Sequence, residues 1–499
     1  MRKKKAIINT LFAMLVELAT VISSFIIPRL ILSHFGSTYN GLTTSITQFL
    51  GYAVLLRAGI GGATRAALYK PIAEADKRQI SGIMVATKKY MNKIALILLV
   101  LILAFASIYP LLVLNEFNYL FSFSLFLIIG FSTFIESMWG ISNMILLQAD
   151  QKLYISAIAK IISIILNTVF AVILINAGFG IHIIKLGSTI AFCIYPLLVR
   201  GYVKRHYSID YSVQPDNSAI SQRWDVFFHQ MANFVMNNTD VMVLTIFTDI
   251  KEVSVYSVYN LVSNGTRKLV NNFTSGMEAT FGNMIAKRED DILEKNFYIV
   301  QYLIFSVATI VYVSAILLIL EFVSLYTKDV LDTNYIRPTF AYLLMITQFF
   351  CCVRQPYQLV VRAAGHYKET KNGAMIEAVI NILISVIAVS RFGLVGVVFG
   401  TLAATLFRTT QYSIYVSKNL VKGSLISFVR HCIIAAVEAS VAILIYGILP
   451  IPTANNYLQW AIHGLFCVLI SGIVVLTGSY AFSRKELFAI VKKMKRITS

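Results

Sequence analysis

Long apolar runs recur along the chain, each about as long as a bilayer-crossing helix. A hydrocarbon core about 30 Å thick takes roughly 20 mostly apolar residues per helix. Runs that meet this demand begin near residues 7, 42, 93, 119, 155, 180, 225, 253, 297, 338, 373, 394, 427 and 457, which predicts about fourteen transmembrane helices. The second and eighth are unusually polar. The opening "MRKKKAIINTLFAMLVELATVISSFIIP" has the order of a signal peptide. Its apolar part is too long and no small-residue cleavage site follows, so it reads as the first span.

Polar residues interrupt these runs at helical spacing. In the eighth span Asn260, Asn264, Arg267, Asn271, Thr274 and Glu278 follow at steps of three and four, which keeps them on one face. Gln230, Asn233, Asn237 and Asp240 do the same in the seventh. Shorter stripes are Asn9, Glu17, Thr20 and Ser24; Thr43, Thr47, Arg57, Gly61 and Thr64; Ser132, Glu136 and Asn143; and Ser156, Lys160, Ser163 and Asn167. Later spans add Thr347, Cys351, Arg354 and Gln358, then Glu377 with Asn381, then Thr401, Thr405 and Arg408. Pro356 stands inside the tenth span, where it removes a backbone hydrogen bond and predicts a kink. An arginine at mid-bilayer costs about 2.5–3.5 kcal/mol, so these faces must meet protein or water. Isolated Ser and Thr residues serve as interhelical glue. The long polar series of the seventh and eighth spans predicts a hydrated cavity.

Composition agrees with a bilayer solvent. The chain has 499 residues, 57% hydrophobic and 13% charged, with a mean hydropathy of +0.73; a soluble protein carries about a quarter charged residues. Charge placement fixes an orientation. With the N-terminus inside, 31 of the 43 Lys and Arg fall in predicted cytoplasmic segments, against Arg29, Lys251, Lys328, Arg337 and Arg391 outside. By the positive-inside rule both termini are cytoplasmic. The formal net charge of +19 recurs span by span and forms no single face, which argues against nucleic acid as a partner.

Catalytic and cofactor chemistry is not indicated. The five cysteines lie in apolar stretches without a CxxC pair and read as small buried hydrophobes. There is no phosphate-binding GxxxxGK[ST] loop, no HExxH and no GxSxG, and the seven histidines are scattered. The sequence predicts no metal, no cofactor and no enzyme. Its break at 204–224 sets six spans before it and eight after, and "FGSTYNGLTTSITQFL" follows the first helix much as "FTDIKEVSVYSVYNLV" follows the seventh. Internal repetition of this kind is common in secondary transporters.

The stretch "RLILSHFGSTYNGLTTSITQFLGYAVLLRAGIGGATRAALYKPIAEAD", with "EVSVYSVYNLV" at the start of the second half, resembles the polysaccharide-transport (Wzx-type oligosaccharide flippase) family of bacteria. That family belongs to the superfamily of multidrug, oligosaccharidyl-lipid and polysaccharide exporters. The resemblance implies two pseudo-symmetric six-helix lobes around a central cavity, plus two C-terminal helices. On this sequence the lobes would be 1–203 and 225–420, joined by a cytoplasmic linker at 204–224 and followed by spans thirteen and fourteen with a basic tail at 421–499. It further implies alternating access in the bacterial cytoplasmic membrane, moving an undecaprenyl-diphosphate-linked oligosaccharide for surface polysaccharide synthesis, beside a polymerase and assembly proteins. A cationic cavity would then be supplied by Arg57, Arg267, Arg354 and Arg408, with Asn260, Asn264 and Asn271. Glu17, Glu136, Asp240 and Glu377 would carry coupling ions or pair with those arginines. The competing readings are a cation-coupled multidrug exporter, a lipid II flippase, and a membrane enzyme or scaffold of polysaccharide assembly.

Overall fold

A computed structural model of the chain describes residues 2–57, 60–216, 238–274, 277–450 and 452–498. Helix accounts for nearly all of them, and no strand occurs among the described residues. Among the described residues, ten helices have the length and apolar composition to cross a membrane. In chain order the helices are α1 (Arg2–Phe35), α2 (Ser37–Val54), α3 (Ile60–Glu74), α4 (Lys77–Leu112), α5 (Tyr119–Ile135), α6 (Ile141–Ala149), α7 (Leu153–Asn176) and α8 (Ile181–His206). Then come α9 (Asn238–Phe247), α10 (Ile250–Asn272), α11 (Met277–Ala286), α12 (Asp290–Tyr326), α13 (Pro338–Val353) and α14 (Gln355–Ala363). The last are α15 (Tyr367–Phe392), α16 (Leu394–Asn419), α17 (Ser424–Ile448) and α18 (Tyr457–Phe482), with a terminal α19 (Arg484–Thr498).

The expected fourteen spans reconcile with ten because four of them are broken or polar. The second is split at the 3-10 turn Leu55–Arg57 into α2 and α3, and the tenth at Arg354 into α13 and α14. Pro356 explains the second break, since it sits in the first turn of α14, where a missing N–H is tolerated. The seventh is represented by α9, and the eighth, α10, carries its polar stripe through its C-terminal half. Gln230, Asn233 and Asn237 lie outside the described residues. The third and ninth spans start earlier than hydropathy alone predicts. Asp76 caps α4 by accepting from the Arg78 and Gln79 amides, both at 3.0 Å, so helix persists over a polar lead-in. Between α15 and α16 the chain reverses on Gly393, whose φ of 53° is a left-handed conformation that favours glycine.

The chain divides into two compact units, Met1–Ser254 and Val255–Ser499. Unit 1 packs around Ile60, Leu68, Met84, Met91, Ile145 and Leu146, all fully buried. The described part of the expected linker is docked on this unit: the Asp210 amide donates to Ser81 Oγ at 3.0 Å and the Asp216 amide to the Gly82 carbonyl at 3.1 Å. Unit 2 packs a run of rings, Phe297 on Tyr357, Tyr357 on Phe428 and Phe428 on Phe305, with centroids 5.1–5.6 Å apart. Tyr357 keeps its hydroxyl satisfied there, accepting from Gln301 and donating to the Ser424 carbonyl. Outward-facing aliphatics such as Leu96 and Val100 remain more than 60% exposed, a surface that only lipid tolerates on this scale.

Most short polar residues act as glue between helices. Asn9 on α1 donates to the Gln151 carbonyl and accepts from the Tyr154 amide, which caps the start of α7. Thr168 meets Ser23 at 2.9 Å and Ser156 meets Tyr195 at 3.0 Å. At the other end of unit 1, Asn40 donates to Ser254 at 2.8 Å and Ser45 pairs with Thr245 at 2.7 Å. Between these two contacts Gly41 lies against the first turn of α10, where an added Cβ would fall 2.0 Å from the Ile250 carbonyl oxygen. Backbone cannot yield as a side chain does. Gly41→Val is therefore expected to destabilise unit 1 by about 1–3 kcal/mol or more, read as a lowered thermal-unfolding midpoint in detergent; an unchanged midpoint would refute this close packing.

Candidate functional site

Arg57 ends the 3-10 turn that breaks the second span, so its side chain leaves the helix axis and points across unit 1. Its Nη1 donates to Glu136 Oε2 at 2.9 Å and to Ser137 Oγ at 3.2 Å. Glu136 opens the π-turn Glu136–Gly140 inserted between α5 and α6. Such insertions re-aim a side chain and are common at functional sites. The pair borders a cavity of about 410 Å³ that also contains Gly61, Gly62, Arg65 and Gln148. Arg65 is held by Gln148 Oε1 at 3.1 Å. Two guanidiniums thus face one carboxylate, and the ion pair remains 20% and 29% exposed. Glu136 also borders a smaller cavity of about 110 Å³ with Lys160, Ser163 and Tyr195.

Arg65 was not singled out by sequence pattern, because it falls in a stretch that reads as cytoplasmic. The break at Leu55–Arg57 is what starts α3 beside the same cavity. The signal was present in the spacing: Arg65 lies four positions beyond Gly61 of the predicted stripe.

In unit 2 the arginines are arranged differently. Glu377 on α15 accepts from Arg354 Nη1 at 2.6 Å and faces Arg408 Nε at 3.5 Å. Arg408 also donates to the Thr370 carbonyl at 2.9 Å, to Gln411, and to the Tyr412 hydroxyl at 2.8 Å, with its guanidinium 4.1 Å over the Tyr412 ring. It is 4% exposed. Gly373 makes the room, since a Cβ there would overlap Gln411 and the Arg408 guanidinium. Every Arg408 nitrogen has a partner, and the arginine is spent on holding α15 to α16.

The α10 stripe is partly knitted to itself and to α14. Arg267 donates to Asn264 at 3.2 Å. Asn271 accepts from Gln355, and Thr274 donates to Gln355 at 3.1 Å. Further on, Glu278 pairs with Arg362 at 3.0 Å. Asn260, Asn264 and Arg267 are half-buried, while Asn271 is exposed. Of the remaining acids, Glu17 lies on an exposed part of α1 and Asp240 is buried in α9. Glu438 is buried beside an apolar cavity of about 770 Å³ between α17 and α18, lined by Ile426, Ile433, Val437, Val441 and Val474.

No protein-family model matches the sequence, and no curated protein matches it. Solved structures do. The inward closed conformation of the lipid II flippase MurJ superposes with a TM-score of 0.72 at 16% identity, covering 95% of this chain and 100% of that one. An inward-facing multidrug resistance MATE family transporter of the MOP superfamily gives a TM-score of 0.65 at 15% identity, over 83% of this chain and 98% of that one. A eukaryotic MATE transporter gives 0.57 at 16% identity, over 86% and 98%. At such identities the likeness establishes the fold: an all-α, multi-pass integral membrane protein with the architecture of these transporters.

Proposed function

We propose that the chain is a flippase that moves an undecaprenyl-diphosphate-linked oligosaccharide between the leaflets of the bacterial cytoplasmic membrane by alternating access. In this reading both termini are cytoplasmic, the energy source is external to the chain, and a polysaccharide polymerase with its assembly proteins receives the cargo. The observation that carries it is the excess of guanidinium over carboxylate in the Arg57–Arg65 cavity. A diphosphate cannot enter hydrocarbon unpaired, and guanidinium meets phosphate oxygens through two parallel hydrogen bonds. Arg57 is held out by a single carboxylate that a diphosphate can displace. Arg267, with Asn260 and Asn264, offers a second polar face on α10, and Glu136 returns to Arg57 when the cargo leaves. Arg354 and Arg408 are assigned to holding unit 2 together through Glu377, with no direct part in binding.

A cation-coupled drug exporter would favour acids where this cavity has bases. A lipid II flippase would share the diphosphate chemistry and differ in the sugar. Depleting the protein in its native cell and measuring lipid-linked glycan at the outer leaflet tests the reading. Delivery is expected to fall to background, with glycan accumulating on the inner leaflet; undiminished delivery would reject it.

A further inference from the structure

A second cationic cavity lies in unit 1, apart from the Arg57 pair. It has a volume of about 660 Å³ and is framed by α4, the π-turn with α6, the end of α8 and the segment 207–211. Lys88, Arg200 and Lys204 line it. Among the described residues none of the three forms an ion pair, in contrast to Arg57, Arg354 and Arg408. Aromatic rings hold two of them: Lys88 Nζ is 4.0 Å over Tyr211, and the Arg200 guanidinium 5.1 Å over Trp139. A ring steadies a cation without cancelling its charge. Asn92 and Asn143 add amide groups to the wall. Two acids on the adjoining segments are engaged elsewhere. Asp150 takes a hydrogen bond from Tyr207 at 2.5 Å and an ion pair from Lys152 at 2.7 Å. Burial and then the Asp150 carboxylate hold the Tyr207 phenol well above its ordinary range, so it stays a donor fixed on Asp150. Asp210 is committed to the amide and hydroxyl of Ser212.

Like charges gathered around one cavity without a counter-charge repel. Such an arrangement is stable when an anion completes it. The volume lies within the roughly 300–1,000 Å³ of small-molecule sites. We propose that this cavity binds a phosphate ester, with Lys88, Arg200 and Lys204 as its ligands and Trp139 and Tyr211 positioning the cations. The phosphate has two available sources, the diphosphate of a lipid-linked cargo before it reaches Arg57, or the head group of an anionic bilayer lipid. The first source rests on the flippase reading; the site itself does not.

Binding of inorganic diphosphate to the full-length protein in nanodiscs of neutral lipid, by calorimetry, tests it without requiring transport. Each of these contacts is charge-assisted, so Lys88→Gln with Arg200→Gln is expected to weaken binding at least about tenfold. Arg57→Gln in an otherwise unchanged chain should retain a diphosphate site. Lys88→Arg should preserve affinity. Should the double variant fail to fold, Lys204→Gln at the end of α8 is expected to weaken binding severalfold on its own. Repeating the titration in nanodiscs with anionic lipid separates the sources: competition assigns the head group, and unchanged affinity assigns the soluble-facing diphosphate. In an Arg57→Gln, Arg65→Gln background, which removes the other diphosphate site, absence of diphosphate binding in neutral nanodiscs, or binding that survives both Lys88/Arg200 and Lys204 substitution, would overturn the site. A transport failure with this binding intact would count against the flippase reading alone.

Discussion

Glu377→Gln is expected to remove most of the folded protein from the membrane. The carboxylate is 8% exposed and is the shared counter-charge of Arg354 and Arg408. Removing one partner of a buried ion pair costs about 3–5 kcal/mol because a charge is left uncompensated. Here two cations are stranded by one substitution, against a total stability of about 5–15 kcal/mol. Size-exclusion yield after detergent extraction and the thermal midpoint both report the loss. A rescue is also expected. Replacing all three side chains with apolar ones, Arg354→Met, Glu377→Leu and Arg408→Met, removes charge and desolvation together, and such replacements are often neutral or stabilising. That triple variant should recover yield and keep transport activity. A folded but inactive triple variant would show that Arg354 or Arg408 binds cargo.

Arg57→Gln is expected to act in the opposite way, leaving the protein in the membrane and abolishing its transport. The Arg57–Glu136 pair is partly exposed, so its loss is milder for stability than that of the Glu377 cluster. Loss of one charge-assisted contact to phosphate, about 1.5–3 kcal/mol, corresponds to a roughly ten- to hundredfold drop in cargo affinity. Glu136→Gln should have the reverse sign on binding, since it frees Arg57 from its competitor, and should slow release. Arg65→Gln is expected to resemble Arg57→Gln. Normal transport in both arginine variants would remove the cavity from the mechanism.

The number and order of spans was legible because hydropathy and length report directly on lipid contact. The break at 55–57 and the π-turn at Glu136 were less so, whereas the turn at Gly393 falls between the spans expected to begin near 373 and 394. A π-turn has no composition cue, and nothing in "FIESMWG" announces that Glu136 will be swung toward Arg57. Pro356 was the exception, a break with a stated cause. Some stripe residues, such as Asn167, Glu377 and Arg408, are buried, while Glu17 and Asn271 are exposed, and periodicity does not say what a stripe meets. Arg57 and Arg408 looked alike in sequence, yet one borders a cavity and the other has every nitrogen occupied. The difference comes from long-range partners: Glu377 lies thirty-one positions from Arg408, and Glu136 seventy-nine from Arg57. The Lys88–Arg200 cavity was hidden for the same reason, since its cations read only as part of the positive-inside charge.

Reconstitution of the purified chain into proteoliposomes, with an undecaprenyl-diphosphate oligosaccharide in one leaflet, tests the central claim most directly. Access of a membrane-impermeant glycosidase to the lipid-linked sugar reports its arrival in the opposite leaflet. The account predicts movement well above protein-free liposomes, reduced to that background by Arg57→Gln with Arg65→Gln. Movement no faster than in empty liposomes, under an imposed ion gradient as well as without one, would contradict it.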